Sequence, residues 1–358
     1  MYKDNADSGQ LYLGGHMRIG IIGDVHFCQY SSIVRRRGEK YSVRLENCIN
    51  SINWAEQLTS NCDGVVYVGD FFDNATLNAE EISALQEITW NNKPHKLLVG
   101  NHEMGINNLD YSSAHLFNLC PGLEIINKPY VEIAEDNSCT FAYLPYVLHP
   151  DKRIEEYFSE YEIRPFDNVV TFSHNDIKGL QLGQFVSEDG FEIKDIRSFC
   201  QMYINGHIHN GGKVEEGVIN IGNLTGQNFS EDALIYDHTI IILDTETLKC
   251  EVYENPYAFN FYKLDATESD IDFNVFKNNS VLSLKTYFDD VQKYREAIEV
   301  SPQIVESRLT IVMPETEGDA SVAEETFSVD HIKQFNDYVL EALGNNDIVR
   351  EELAEVLK

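Results

Sequence analysis

Ile19-Gly20-Ile21-Ile22-Gly23-Asp24-Val25-His26 sets a β-branched apolar run against a glycine and two residue types that ligate metals. The run reads as a short buried strand, and the glycine lets the chain turn sharply off its end. The same pattern recurs four times. Val65–Val68 leads into Gly69-Asp70-Phe71-Phe72-Asp73, and Leu97–Val99 into Gly100-Asn101-His102-Glu103. Val169–Phe172 leads into Ser173-His174, and Met202–Ile204 into Gly206-His207-Ile208-His209. Five strand ends thus deliver Asp, His or Asn.

Between the first two runs, Val43, Cys48, Ile49, Ile52, Ala55 and Leu58 fall near helical spacing over Ser42–Leu58. Before the third, Asn78 with Glu81 three residues on makes a capping-box pattern. Strand–helix–strand alternation implies an α/β sheet with parallel neighbours, and ligands bind beyond the carboxyl ends of such strands. After residue 210 the pattern is strands alone, Val218–Ile221, Thr239–Leu243 and Lys249–Tyr253, joined by short turns. The expected fold class is α/β, a two-sheet sandwich flanked by helices.

A second unit follows. Val281–Tyr287 reads as a strand, Asp289–Val300 as a helix and Arg308–Val312 as a strand, a small α/β unit over 261–314 expected to pack on the main domain, 17–260. Residues 315–330 carry acids and no base among small residues, and read as a flexible acidic linker. Ile332, Phe335, Val339 and Leu343, then Val349, Leu353 and Val356, form two amphipathic stripes over 331–358. Those helices could fold back on their own domain, but the long polar linker favours docking on a partner. Residues 1–16 lack the basic start and apolar run of a signal peptide, and the Gly14-Gly15-His16-Met17 junction reads as the end of an expression tag.

The chain has 358 residues, 27 Lys+Arg against 59 Asp+Glu, a net charge of −32 and 43% hydrophobic residues. That apolar content excludes a disordered protein, no run is long enough to span a membrane, and the charge argues against gripping nucleic acid through one broad basic face. Seven cysteines without a CxxC pair imply reduced thiols and a cytoplasmic setting.

The strand ends share a chemistry. Asp24 and His26, like His207 and His209, are two apart, so in extended backbone each pair points to one side. Several imidazoles with carboxylates and one amide fit divalent cations of the Mn, Fe or Zn type, and are too nitrogen-rich for calcium. So many ligands suit two metals sharing a bridging carboxylate. A lone histidine after an apolar run is usually a satisfied core residue; five such endings on consecutive strands are not explained that way.

In order and spacing, Asp24-x-His26, Gly69-Asp70-x-x-Asp73, Gly100-Asn101-His102-Glu103, His174 and Gly206-His207-x-His209 resemble the motif set of calcineurin-like metallophosphoesterases. The resemblance implies that Asp24, His26, Asp70 and His209 hold one metal. Asp70, Asn101, His174 and His207 would hold the other, with Asp70 bridging. It makes His102 the non-ligand catalytic histidine and Asp73 the residue that orients it. Two divalent ions are implied, Mn2+ first, with Mg2+, Fe or Zn as alternatives.

The order of the last 100 or so residues further resembles the SbcD-type nuclease subunit and its phage recombination-endonuclease relatives. That implies a DNA nuclease of double-strand-break repair or recombination, with a small capping unit that touches DNA. The implied partners are DNA, an SbcC-like coiled-coil ATPase and, left open, a second copy of the chain. Ile221-Gly222-Asn223-Leu224-Thr225-Gly226 departs from the expected Pro-Gly-Ser-like turn, and residues 175–195 form a longer insertion. Arg35, Arg36, Arg37 and Lys40 crowd one loop that is either a phosphate contact or a solvated charged loop. A phosphatase or cyclic-nucleotide phosphodiesterase is the alternative enzyme, and a dead, DNA-mimicking scaffold the reading outside enzymes.

Overall fold

The structure, a computed structural model, describes residues 17–31, 34, 36–135, 139–163, 168–182 and 185–313. The tag region 1–16, Arg35, the linker 315–330 and the segment 331–358 lie outside the described residues. In chain order the principal elements are β1 (Arg18–Ile22), α1 (Val43–Leu58), β2 (Gly64–Tyr67), α2 (Ala79–Ala84), β3 (His95–Leu98), β4 (Leu123–Ile126), β5 (Tyr130–Ile133) and β6 (Thr140–Leu144). There follow β7 (Val169–Ser173), α3 (Ile193–Phe199), β8 (Met202–Asn205), β9 (Gly212–Glu215), β10 (Val218–Asn220), β11 (Thr239–Asp244) and β12 (Cys250–Glu254). A small unit closes the described chain with β13 (Asn260–Asp265), β14 (Ser280–Tyr287), α4 (Val291–Glu299) and β15 (Ile304–Val312).

Two six-stranded sheets form the sandwich, in the orders β12-β11-β1-β2-β3-β4 and β9-β10-β8-β7-β6-β5. β1 to β4 run parallel, as do β6, β7, β8 and β10. Antiparallel strands complete one edge of the first sheet, β11 and β12, and both edges of the second, β9 and β5. The continuous apolar runs follow from burial on both faces. Ile19, Ile21, Val66, Val68 and Leu98 meet Phe141, Tyr143, Val170, Phe172 and Ile204 between the sheets. Alternate residues Ile22, Tyr67 and Leu97 face outward onto Leu45, Cys48, Ile49 and Ile52 of α1. On the opposite side Ala142, Leu144, Val169 and Tyr203 pack on Ile154, Phe158 and Ile196. Fully burying each such aliphatic or aromatic side chain contributes roughly 1.5–3 kcal/mol.

Local rules start the helices where the sequence places them. Ser42 caps α1 by accepting from the Leu45 N–H, and Asn78 with Glu81 forms the capping box of α2. The expected helix from Asp289 starts instead at Val291, after a 3-10 turn over Phe288–Asp290. The expectation of short turns after residue 210 also needs correction. Residues 221–238 leave the second sheet after β10 and enter the first at β11, so this stretch is a crossing between sheets. Its polar composition resembles a turn, which hid its length.

In the small unit, β13, β14 and β15 make a parallel three-stranded sheet. One face, through Phe261 and Val281, packs on Val34, Val43 and Phe229 of the sandwich. The other carries Tyr262 and Leu282 against Phe276 and Ile298. Arg36 adds a polar tie, donating to the Val305 carbonyl and pairing with Glu306 at 3.2 Å.

Candidate metal centre

The loops after β1, β2 and β3 in one sheet and after β7 and β8 in the other converge on one edge of the sandwich. They bring Asp24, His26, Asp70, Asp73, Asn101, His102, His174, His207 and His209 together. The side chains do not arrive by the extended backbone that the two-residue spacing suggested. His26, Asp70 and His207 take left-handed φ values of +48°, +46° and +71°. Such backbone costs of order 1–3 kcal/mol per residue and gathers where a site demands it. Two glycines clear the space: a Cβ at Gly69 would lie 2.3 Å from His174 Nδ1, and one at Gly206 2.5 Å from Asp24 Oδ1.

Two lobes are evident. In the first, Asp24, His26 and His209 offer donor atoms within 4.8 Å of one another, and the His26 and His209 Nε2 atoms lie 2.9 Å apart. In the second, Asp70, His174 and His207 are similarly close. There His174 Nε2 is 3.0 Å from Asp70 Oδ2 and 3.2 Å from Asn101 Oδ1, which is 2.9 Å from His207 Nδ1. The same Asp70 Oδ2 lies 4.0 Å from His26 Nε2, between the lobes.

These residues fit a pair of divalent cations. Asp24 Oδ2 is buried and has no hydrogen-bond donor, an expensive state for a carboxylate oxygen unless a cation faces it. Two imidazole nitrogens at 2.9 Å likewise need a cation or a shared proton between them. Imidazole nitrogen combined with carboxylate and amide oxygen suits the Mn, Fe or Zn class.

His102 sits at the mouth, its side chain 40% exposed, edge-on to His26 with ring centroids 4.6 Å apart. Its Nδ1 is 3.3 Å from the Asp73 carbonyl and 3.5 Å from Asp73 Oδ1. Hydrogen bonding to the Asp73 carboxylate, against some burial, pushes His102 up to about 9. Burial alone would raise Asp73, but its hydrogen bonds from His102 and His26 hold it well below the usual carboxylate range. Asp73 has more than one duty: Oδ1 is also 3.0 Å from His26 Nδ1 and accepts from Gln227 Nε2 at 2.5 Å. It therefore faces a first-lobe ring as well as His102.

Several residues around the site had no assigned role in the sequence reading. Glu103 is fully buried and its carboxylate accepts from the Gly100 and Phe72 N–H groups at 2.8 and 3.1 Å, tying two site loops together. Burial, with the nearby Asp70 charge, pushes Glu103 up to about 8. Arg44 is fully buried in α1 and donates to the carbonyls of Val25, His26 and Gly226, bracing the left-handed His26 from behind. Glu231 and Asp176 lie against His209 and His207 at 3.0 and 3.3 Å. A sequence pattern does not reveal that these polar side chains are buried or where they reach. The capping position of Glu81 was the exception.

Of the cationic loop, Arg36 pairs with Glu306, Arg37 with Glu80 at 2.6 Å and Lys40 with Glu87. All seven cysteines are free, and none touches the site as a ligand among the described clusters. No helix among the described residues is long and apolar enough to cross a membrane.

The profile of the family described as calcineurin-like phosphoesterase matches residues 17–211. Among solved structures, a protein of Thermus thermophilus is similar with a TM-score of 0.40 at 9% identity, covering 67% of this chain and 99% of its own. A metallophosphoesterase from Sphaerobacter thermophilus gives a TM-score of 0.29 at 12% identity, covering 67% of this chain and 88% of its own. No curated protein matches the chain.

Proposed function

The chain belongs to the calcineurin-like phosphoesterases, metal-dependent hydrolases of phosphate esters, and on that premise we propose that it is a dinuclear-metal DNA nuclease. In this reading it cleaves phosphodiesters, as exonuclease, endonuclease or both, in double-strand-break repair or recombination, with an SbcC-like coiled-coil ATPase as partner. The observation that carries the reading is the small unit, which packs through Phe261 and Arg308 onto Phe229 of the loop that also places Gln227 against Asp73 and Glu231 against His209. A unit so placed is linked to the site through that loop, and can add binding surface for a polymeric substrate.

Asp24, His26, Asp70 and His209 would hold one cation, and Asp70, Asn101, His174 and His207 the other. Mn2+ is the first choice, with Mg2+, Fe and Zn as alternatives. When bound, the pair supplies charge neutralisation for the phosphodiester and a water-derived nucleophile at neutral pH. Asp70 reaches both lobes through Oδ2, while its Oδ1 accepts from the His102 N–H at 2.9 Å, which fixes the His102 backbone beside the lobes. The Asp73 carboxylate beside Nδ1 favours the protonated form of the His102 ring. That ring can stabilise charge on a phosphate oxygen or protonate the leaving oxygen.

Arg35, Arg36, Arg37 and Lys40 are proposed as phosphate contacts. The ion pairs of the last three are exposed, so they hold weakly and a polyanion can displace the carboxylates. The segment 331–358 is proposed to bind the ATPase, with self-association of the chain as the further partner. A cytoplasmic setting accords with the free thiols.

The net charge of −32 and those paired cations favour a second reading, a phosphatase or cyclic-nucleotide phosphodiesterase whose substrate needs no basic track. The two readings separate on substrate. With Mn2+, the nuclease reading expects cleavage of 3′-ended duplex or single-stranded DNA in preference to p-nitrophenyl esters and cyclic nucleotides. The reverse preference, with and without the co-purified ATPase, would select the phosphatase.

A further inference from the structure

Each of the four imidazoles in the two lobes presents one ring nitrogen to the site and the other to an acceptor. His26 Nδ1 faces Asp73 Oδ1 at 3.0 Å, and His174 Nδ1 faces the Val68 carbonyl at 2.7 Å. The other two acceptors are carboxylates outside the motif set. His209 Nδ1 is 3.0 Å from Glu231 Oε1, and His207 Nε2 is 3.3 Å from Asp176 Oδ1.

A neutral imidazole carries one N–H and one lone pair, so an acceptor on one nitrogen places the lone pair on the other. Glu231 therefore directs the His209 lone pair to Nε2, the atom that lies 2.9 Å from His26 Nε2 in the first lobe. In the second lobe His207 has an oxygen at each nitrogen, Asp176 Oδ1 at Nε2 and, 2.9 Å from Nδ1, Asn101 Oδ1; a cation shared by Asn101 and His207 needs the Nδ1 lone pair, which Asp176 makes available by accepting the Nε2 proton. The two histidines, two residues apart, would thus hold their cations through different nitrogens, with these carboxylates on the opposite ring atoms.

Glu231 is built for a fixed position. It is 4% exposed, both its oxygens accept from the Gln227 N–H at 3.1 and 2.9 Å, and Oε2 is 3.8 Å from His238 Nε2. His238 is held in turn, with Nδ1 2.7 Å from the Asn223 carbonyl. Asp176 is less enclosed, its side chain 21% exposed, and Oδ1 also accepts from Ser187 Oγ at 3.4 Å.

We infer that Glu231 and Asp176 are positioning residues of the metal centre, one for each lobe. Glu231 sets the orientation and tautomer of His209 and so the hold on the first cation; Asp176 does the same for His207 and the second. The inference rests on the dinuclear reading above. Removing such an acceptor lowers metal affinity by about 10–100-fold while the ligands themselves remain.

Titration of the full chain with Mn2+ by calorimetry tests it, with His209→Ala and Asn101→Ala marking which binding step belongs to which lobe. Glu231→Gln is expected to weaken the step lost in His209→Ala by about 10–100-fold and to leave the other unchanged. Asp176→Asn is expected to weaken the step lost in Asn101→Ala. Glu231→Asp, which restores the acceptor with a shorter reach, should recover part of the loss. Should Glu231→Gln fail to fold, the Asp variant and Asp176→Asn still carry the test. Wild-type affinities in the variants, or both variants weakening one step, overturn the inference while leaving the two-cation reading intact. A wild-type chain that takes up fewer than two ions overturns that reading, and the inference with it.

Discussion

His102 differs from the other imidazoles of the site in being half open to solvent while Asp73 grips its Nδ1. A proton donor held at the mouth contributes to the reaction but little to metal retention. His102→Ala is accordingly expected to lower phosphodiester hydrolysis by about 10²–10⁴-fold while the chain still binds two Mn2+. Loss of metal on that substitution would show His102 to be a ligand instead. Burial pushes the Cys28 and Cys200 thiols up to about 12. The thiolate is the reactive form, so both should resist a disulfide reagent at pH 8 in the native protein and react once it is unfolded. Fast native labelling of either would contradict their placement. At this scale the residues that the structure gathers into one site were legible, because Asp, His and Asn at strand ends stand out against apolar runs. Glu231 and Arg44 were not, since a Glu in Ser230-Glu231-Asp232 or an Arg near the start of a helix reads as surface charge.

Among the elements, the loop from 221 to 238 carries more of the site than its sequence suggested. Phe229 lies between Phe261 at 5.2 Å and the Arg308 guanidinium at 4.6 Å, while its neighbours Gln227 and Glu231 reach Asp73 and His209. Phe229→Ala should therefore speed amide hydrogen exchange both in residues 227–231 and in β13. Faster exchange in β13 alone would show that the loop does not transmit the packing of the small unit. The cap of α1 gives a simpler test, since Ser42→Ala removes the acceptor for the Leu45 N–H. It should cost about 1 kcal/mol in denaturant unfolding. Both helix starts were legible from local rules, α1 from its apolar spacing and α2 from its capping box. The left-handed turns at His26, Asp70 and His207 were not, because tertiary crowding at the converging loops imposes them and no local residue preference signals them. The strands β6 and β13 were likewise missed, β6 because Thr140-Phe141-Ala142-Tyr143-Leu144 has no ligand residue at its end to mark it.

For the molecule as a whole, the charge of −32 limits how DNA could be held. Cations already paired with Glu306, Glu80 and Glu87 gain less from phosphate than free ones would. Replacing Arg35, Arg36 and Arg37 by Ala should nevertheless reduce the slope of log affinity against log salt, by up to about 0.9 for each lost duplex phosphate contact. An unchanged slope would mark the loop as solvated charge. The two-sheet architecture was legible because five buried strands leave an unmistakable apolar record. The crossing of residues 221–238 between sheets, which joins the small unit to the site, was not, because long-range packing leaves no periodic signal. Five strand ends from two sheets converge on one site, which is expected to take two cations with Asp70 between them. Anomalous diffraction from crystals grown with Mn2+ tests it most directly. Two peaks are expected, one among Asp24, His26 and His209 and one among Asn101, His174 and His207, both within ligand distance of Asp70. A single peak, or two that do not share Asp70, would contradict it.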